Sequence, residues 1–202
     1  NSTVQGGPGQ DADTQHHYIF IRRADFAGLN LLTSSINLKE ELINSLMAHL
    51  SKSDFLILFT VLAQPKSRGY LKLKSANPAD SPLIYANYLQ ESEDVDTVLR
   101  SLRFITQMEQ SSSFKANKAE ILQLPLEECN AFEFKSEDYW RCYIKYLSTT
   151  LYHPVGTVKM GSDKQKSSCL NAQLQLRGVD NLRVIDASIM PTITTANTNA
   201  PT

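Results

Sequence analysis

No apolar stretch in this sequence approaches the ~20 residues that a bilayer-spanning helix needs. The longest, residues 55–63, has the length of a buried strand, so no membrane span is expected. An excess of one charge is also missing: 20 basic residues face 21 acidic ones, for a net charge of −1. The basic residues do not cluster, which argues against a nucleic-acid or acidic-membrane partner. Cysteine is scarce, and Cys129, Cys142 and Cys169 lack metal-ligand spacing, so no metal site is expected. A single disulfide and free thiols both stay open, buried free thiols being the commoner arrangement. His16-His17 lie in a polar tail and read as solvent-exposed rather than as metal ligands.

The common glycine signatures are absent too. There is no Gly-x-Gly-x-x-Gly and no Gly-Lys-Ser/Thr, and Gly6-Gly7-Pro8-Gly9 neither follows a strand nor opens a helix, so nothing here cradles a phosphate in a glycine-rich loop. Without a Gly-x-Ser-x-Gly elbow, an α/β-hydrolase reading has no support. Residues 1–15 are polar and glycine-rich, unlike a signal or transit peptide.

What remains is a globular composition, 42% hydrophobic and 20% charged over 202 residues, enough for one large domain or one and a half. Tyr18-Ile19-Phe20-Ile21 predicts a short strand. Leu38, Leu42, Ile43, Leu46, Met47 and Leu50 recur at helical spacing and predict an amphipathic helix over residues 38–50. A buried strand follows at 55–63. Leu71 and Leu73 alternate with Tyr70, Lys72 and Lys74, a half-exposed strand to which residues 84–89 can pair back. Val95, Val98, Leu99, Leu102, Ile105 and Met108 form one helical stripe behind Ser92 as N-cap. A further helix over 136–147 carries Trp140, Tyr143, Ile144 and Leu147, and Leu182 to Ile185 reads as a short strand ending in Asp186. Strands and helices interleave irregularly, which predicts an α+β fold, an antiparallel sheet with helices against it.

Candidate chemistry gathers in the last fifty residues. His153 is the first candidate, since an imidazole can serve as a general base toward a hydroxyl proton, although a single His is ordinarily a hydrogen-bonded member of a packed turn. Asn197 can both donate to and accept from a substrate hydroxyl without titrating; it is equally a turn residue. Asp186-Ala187 closes a strand, where a carboxylate and a backbone N–H could hold a ribityl or pyrophosphate group or simply start a turn. Pro201, with Asn199 or Thr198 as cap, would open a helix aimed at whatever Asn197 faces.

Taken together and in order, Tyr152-His153-Pro154-Val155-Gly156-Thr157 with Lys159-Met160-Gly161, then Leu182-Arg183-Val184-Ile185-Asp186-Ala187, then Asn197-Thr198-Asn199-Ala200-Pro201-Thr202 resemble the C-terminal part of the glucose–methanol–choline (GMC) oxidoreductases. Pro65-Lys66-Ser67-Arg68-Gly69-Tyr70-Leu71 resembles the strand and turn opening that family's substrate-side domain, so the likeness runs over about residues 65–202. The chain most resembles the insect glucose-dehydrogenase-like members.

The resemblance implies a fold, a cofactor and a site. Residues 1–17 would be a polar linker and 18–152 an α+β substrate domain. Residues 153–202 would form the active-site loop and the return into an α/β FAD-binding domain that they help complete. The implied cofactor is FAD, and the implied substrate a small-molecule alcohol or sugar oxidised at its CH–OH group. His153 would take or orient the hydroxyl proton, and Asn197 would bond the same oxygen. The backbone at Asn197-Thr198 would face the flavin, and Asp186-Ala187 its ribityl and phosphate chain.

Val158, Asn171-Ala172 and Ala196 depart from the family's usual Cys, Asp-Pro and Gly, and none removes a proposed catalytic group. With the family's glycine-rich loop missing, the chain reads as a C-terminal portion that alone holds little FAD and is inactive. A flavin-free derivative and a non-enzymatic binding module are the competing readings. The electron acceptor stays open, and so does the compartment, for which the family allows an extracellular setting.

Overall fold

The computed structural model describes residues 2–5 and 12–202 of the chain. It is a mixed helix and sheet structure whose sheets are small and antiparallel. The described residues form two compact units, and each draws on two stretches of chain. One combines the residues up to Leu62 with Ser92–Thr149; the other combines Ala63–Glu91 with Thr150–Thr202. The segment expected to be a single substrate domain, residues 18–152, therefore contributes to both.

The first unit is built on a three-stranded antiparallel sheet in the order β1 (Ser2–Gln5), β2 (Ala12–Ile21), β3 (Phe55–Leu62). The β2–β3 register runs from Thr14 opposite Leu62 to Ile21 opposite Phe55. Because side chains alternate across a strand, Ile21, Phe55 and Ile57 point to one face. There they join Leu29 and Leu32 of α1 (Phe26–Ser35) and Leu46, Met47 and Leu50 of α2 (Glu40–Leu50) in an apolar core.

Thr14 and His16 point to the other face, which α3 (Ser92–Met108) covers. Both are fully buried, and the His16 imidazole pairs with Ser101 Oγ, which lies 3.4 Å from Thr60 Oγ1. Phe104 stacks on the same imidazole with ring centres 5.9 Å apart. Two expectations are corrected here. The strand starts at Ala12 instead of Tyr18, so residues read as linker carry strand. His16 is not solvent-exposed: a polar residue on a strand face is tolerated inside once it has a hydrogen-bond partner.

Burial lowers the His16 pKa below its ordinary 6.5, because a desolvated imidazole resists protonation. The unfolded chain takes up a proton near 6.5 that the folded one refuses. The His16 contribution to stability is therefore present above that pH and declines as pH falls below it. Ser101→Ala, which removes the Nε2 partner, is expected to cost about 1–3 kcal/mol, read as a lowered urea midpoint at pH 7.5. An unchanged midpoint would mean that water replaces the hydroxyl.

α5 (Glu137–Leu147) follows a short helix, α4 (Ser112–Ala116), and a 3-10 turn at Glu127–Cys129. Ser136 caps α5 by accepting from the Tyr139 N–H at 3.1 Å, and the helix buries Tyr139, Trp140 and Ile144, close to its expected face. Arg141 joins α5 to α3 by bonding Asp96 at 2.9 Å and also pairs with Glu137 of its own helix at 3.0 Å, though at such exposure these pairs add little. A disulfide fastens the 3-10 turn to α5: Cys129 and Cys142 are bonded, their Cα atoms 5.7 Å apart. The expectation of buried free thiols fails for this pair, and Cys169, the free cysteine, is exposed. The decision rests on spatial proximity, which the spacing of cysteines along a chain does not reveal.

In the second unit β4 (Tyr70–Lys72) and β5 (Leu83–Tyr85) form the expected hairpin, with Tyr70 opposite Tyr85 and their rings stacked at 4.6 Å. Gly69 is required at its base, where a Cβ would sit 2.4 Å from the Tyr85 carbonyl oxygen. The rest of the unit is a long strap with little regular structure. The strand expected at 182–185 is absent: only an isolated bridge pairs Arg183 with Gln175, and Ile185 stays 72% exposed. The run does meet backbone, since the Leu176 N–H donates to Leu182 O at 3.0 Å and the Val184 N–H to Leu174 O at 3.3 Å, but the pairing stops at that one bridge and does not extend into a ladder.

Candidate active site

Backbone hydrogen bonds, rather than helices or strands, shape the strap. Around His153 the chain is turned by Tyr152 at φ 62° and Gly156 at φ 81°. The second of these is left-handed backbone that glycine adopts freely. Tyr152 is steadied by its N–H, which donates to Thr150 Oγ1 at 3.0 Å. Beyond the turn, alternate N–H groups bond another part of the strap: Gly156 to Ala187 O (3.3 Å), Val158 to Ser188 O (3.0 Å) and Met160 to Ile189 O (2.8 Å). The His153 loop and the Asp186-Ala187 segment are thus laced together.

A second set of bonds stiffens this arrangement. The N–H groups of Cys169 and Leu170 donate to Lys159 O at 2.9 and 3.1 Å, and Leu170 is fully buried. Arg177 reaches into the same loop, donating to Ser162 O at 2.9 Å, Gly161 O at 3.2 Å, Ser168 Oγ at 3.3 Å and Asp163 at 3.3 Å. A guanidinium with donors fanned in one plane suits such a cluster of carbonyls and hydroxyls.

His153 is half-buried, and its Nδ1 lies 3.2 Å from Thr198 Oγ1. Thr198 is itself buried, and its carbonyl accepts from the Thr202 N–H at 3.1 Å and the Thr202 hydroxyl at 2.6 Å. Asn197, the residue before it, is exposed. The structure therefore joins His153 to the Asn197-Thr198 pair through the threonine hydroxyl. Nothing in the sequence pointed to that contact, since the two residues stand 45 positions apart.

Asp186 caps the 3-10 turn Ala187–Ile189, with one carboxylate oxygen accepting from both the N–H (2.8 Å) and the hydroxyl of Ser188. The Ser188 hydroxyl and then its N–H hold the Asp186 carboxyl below its ordinary pKa, so it stands ionised on an exposed edge. A cleft of about 430 Å³ lined by Asn171, Gln175, Arg177 and Asn181 lies in the same unit, but none of His153, Asp186 or Asn197 lines it. Among the described residues no cluster of His, Cys, Asp or Glu is arranged to hold a metal ion, and no helix is long and apolar enough to cross a membrane.

A family model described as GMC oxidoreductase matches residues 65–202. The chain belongs to the GMC oxidoreductase family. Its relatives include the glucose dehydrogenase [FAD, quinone] of Drosophila pseudoobscura pseudoobscura, 37% identical over 71% of this chain and 23% of that protein. The alcohol dehydrogenase [acceptor] of Pseudomonas putida is 43% identical over 68% of this chain and 24% of its own length. Among solved structures, pyridoxine 4-oxidase from Mesorbium loti superposes with a TM-score of 0.61 at 27% identity, over 74% of this chain and 27% of that one. The chain thus spans about a quarter of the length of the GMC relatives it matches.

Proposed function

We propose that this chain provides the substrate-facing proton-transfer groups of an FAD-dependent oxidoreductase that oxidises the CH–OH group of a small alcohol or sugar. In this reading the strap contributes to an α/β flavin domain. The observation that carries it is the half-buried His153, tied at Nδ1 to Thr198 beside the exposed carboxamide of Asn197. Membership of a family whose relatives bear the names glucose dehydrogenase [FAD, quinone] and alcohol dehydrogenase [acceptor] supports it.

The donor set fits the flavin cofactor. An ionised Asp186 accepts hydrogen bonds and cannot give them, so it suits ribityl hydroxyls and would repel a pyrophosphate. That narrows its expected role to the sugar-like chain. Ala187 and the backbone of Asn197 and Thr198 would hold the rest of the contact. FAD, when bound, supplies the acceptor for the hydride leaving the carbinol carbon. With Nδ1 engaged, His153 offers Nε2 to the substrate, where it takes the hydroxyl proton as the carbon–hydrogen bond breaks. The Asn197 amide donates to the same oxygen and keeps it aligned without changing charge.

The division of labour is tested in the flavin-loaded protein. Asn197→Ala is expected to reduce turnover while flavin stays bound, and Asn197→His to restore part of it, since an imidazole can donate to the same oxygen. Asp186→Ala is expected to weaken FAD retention by roughly ten- to a hundredfold, the range for losing a hydrogen bond to a charged group. Flavin-release titrations and turnover on the same variants read both effects. If Asn197→Ala strips flavin and Asp186→Ala spares it, the two roles are reversed.

A further inference from the structure

We infer that Thr198 is a positioning residue: its hydroxyl fixes His153 in the tautomer that carries its proton on Nδ1, leaving the Nε2 lone pair free for the substrate. The inference rests on the proposed role of His153 as the proton acceptor, and it assigns to this threonine side chain a task that its neighbour Asn197 does not perform. A neutral imidazole has one donor nitrogen and one acceptor nitrogen, and the partner of one decides the state of the other. Thr198 Oγ1 sits 3.2 Å from Nδ1. If Nδ1–H donates to that oxygen, Nε2 is a base. If instead the hydroxyl donates to Nδ1, Nε2 carries the hydrogen and cannot accept one. Only the first arrangement suits a proton acceptor.

Thr198 is built to hold this position. The residue is buried, at 6% exposure, so water does not readily take its place. Its backbone is fixed by the Thr202 N–H and hydroxyl, both bonded to the Thr198 carbonyl. The opposite side of the contact is equally constrained, because the loop after His153 is laced to 187–189 by the Gly156, Val158 and Met160 N–H groups. When Nε2 accepts the hydroxyl proton, the ring becomes cationic. The Nδ1–H bond to Thr198 Oγ1 then becomes charge-assisted and stronger, so the contact favours the protonated ring over the neutral one.

The test uses nitrogen-15 histidine labelling of the flavin-loaded protein, with His153→Gln identifying the signals of this ring among the four histidines of the chain. The expected spectrum above the imidazole pKa shows a protonated Nδ1 and an unprotonated Nε2. In Thr198→Val, which keeps the shape and loses the hydroxyl, that preference is expected to collapse toward a tautomer mixture. kcat should fall roughly ten- to a hundredfold, as when the outer partner of a functional histidine is removed, with KM little changed. Thr198→Ser is expected to keep the wild-type spectrum and most of kcat.

A protonated Nε2 in the unmutated protein overturns the inference, even if the valine variant does not fold. So does a valine variant with an unaltered spectrum and unaltered kcat. Failure of the underlying reading looks different: His153→Gln would leave turnover intact although the unmutated protein showed the Nδ1 proton that Thr198 sets.

Discussion

His153→Ala in the flavin-loaded protein is expected to slow alcohol oxidation by about a hundredfold or more, the range for removing a positioned proton acceptor, with flavin content unchanged. The two halves of this expectation come from separate observations. The rate falls because Nε2 is the ring nitrogen left to take the proton once Nδ1 has engaged Thr198. Flavin is retained because the loop keeps its course without the imidazole. Gly156, Val158 and Met160 hold it through backbone N–H groups that bond Ala187, Ser188 and Ile189, and a change of side chain at 153 leaves those bonds in place. Turnover and flavin absorbance per mole of protein, measured on one preparation, separate the two. Full turnover, or flavin lost in step with rate, would reduce His153 to a structural member of its turn.

The second large effect concerns stability. Replacing both Cys129 and Cys142 by alanine is expected to cost about 3 kcal/mol, the chain-entropy value for a closed loop of about 15 residues; the bridge here spans a sequence separation of 13. It holds the 3-10 turn at Glu127–Cys129 against α5, and Cys129 has no solvent exposure. A reductant should lower the denaturant midpoint of the wild-type protein toward that of the double variant and leave the double variant unaffected. Such bonds persist in oxidising compartments, so a reducing setting would forfeit this part of the stability. Thiol titration under native, non-reducing conditions should find Cys169 alone reactive, since it is the exposed free cysteine. Rapid labelling of Cys142 before reduction would contradict the bridge.

The elements that were legible in the sequence are those in which apolar periodicity and burial coincide. α2 and α5 stand where the spacing of Leu42, Leu46 and Leu50 and the pair Trp140 and Ile144 put them; β3 stands where the run from Phe55 put it, but it is half-buried rather than buried as expected, with Leu56 exposed. The first part of β2 was hidden because its buried face carries Thr14 and His16, whose partner Ser101 is remote in sequence. α1 was hidden for a different reason. Its buried positions include Thr33 beside Leu29, which blurs the stripe, and its clearest signal is local: Asp25 accepts from the Gly28 N–H at 3.0 Å.

The span of the family resemblance was also legible, because loop motifs such as Tyr152-His153-Pro154 and Asn197-Thr198-Asn199 lie within the residues 65–202 that the family model matches. What they could not disclose was how the loops meet. The Thr198 hydroxyl on His153 and the lacing of 156–160 to 187–189 are properties of the folded strap.

The central claim is that this site oxidises a carbinol with His153 taking the hydroxyl proton. Rapid mixing of the flavin-loaded protein, without oxygen, with a panel of primary and secondary alcohols and sugars tests it most directly. The account predicts that at least one CH–OH donor bleaches the flavin absorbance. Deuterium on the carbinol carbon should slow the bleaching, and His153→Ala should slow the same phase by about a hundredfold or more. Bleaching that ignores both the deuterium and the histidine, or a flavin that no CH–OH donor bleaches, would contradict it.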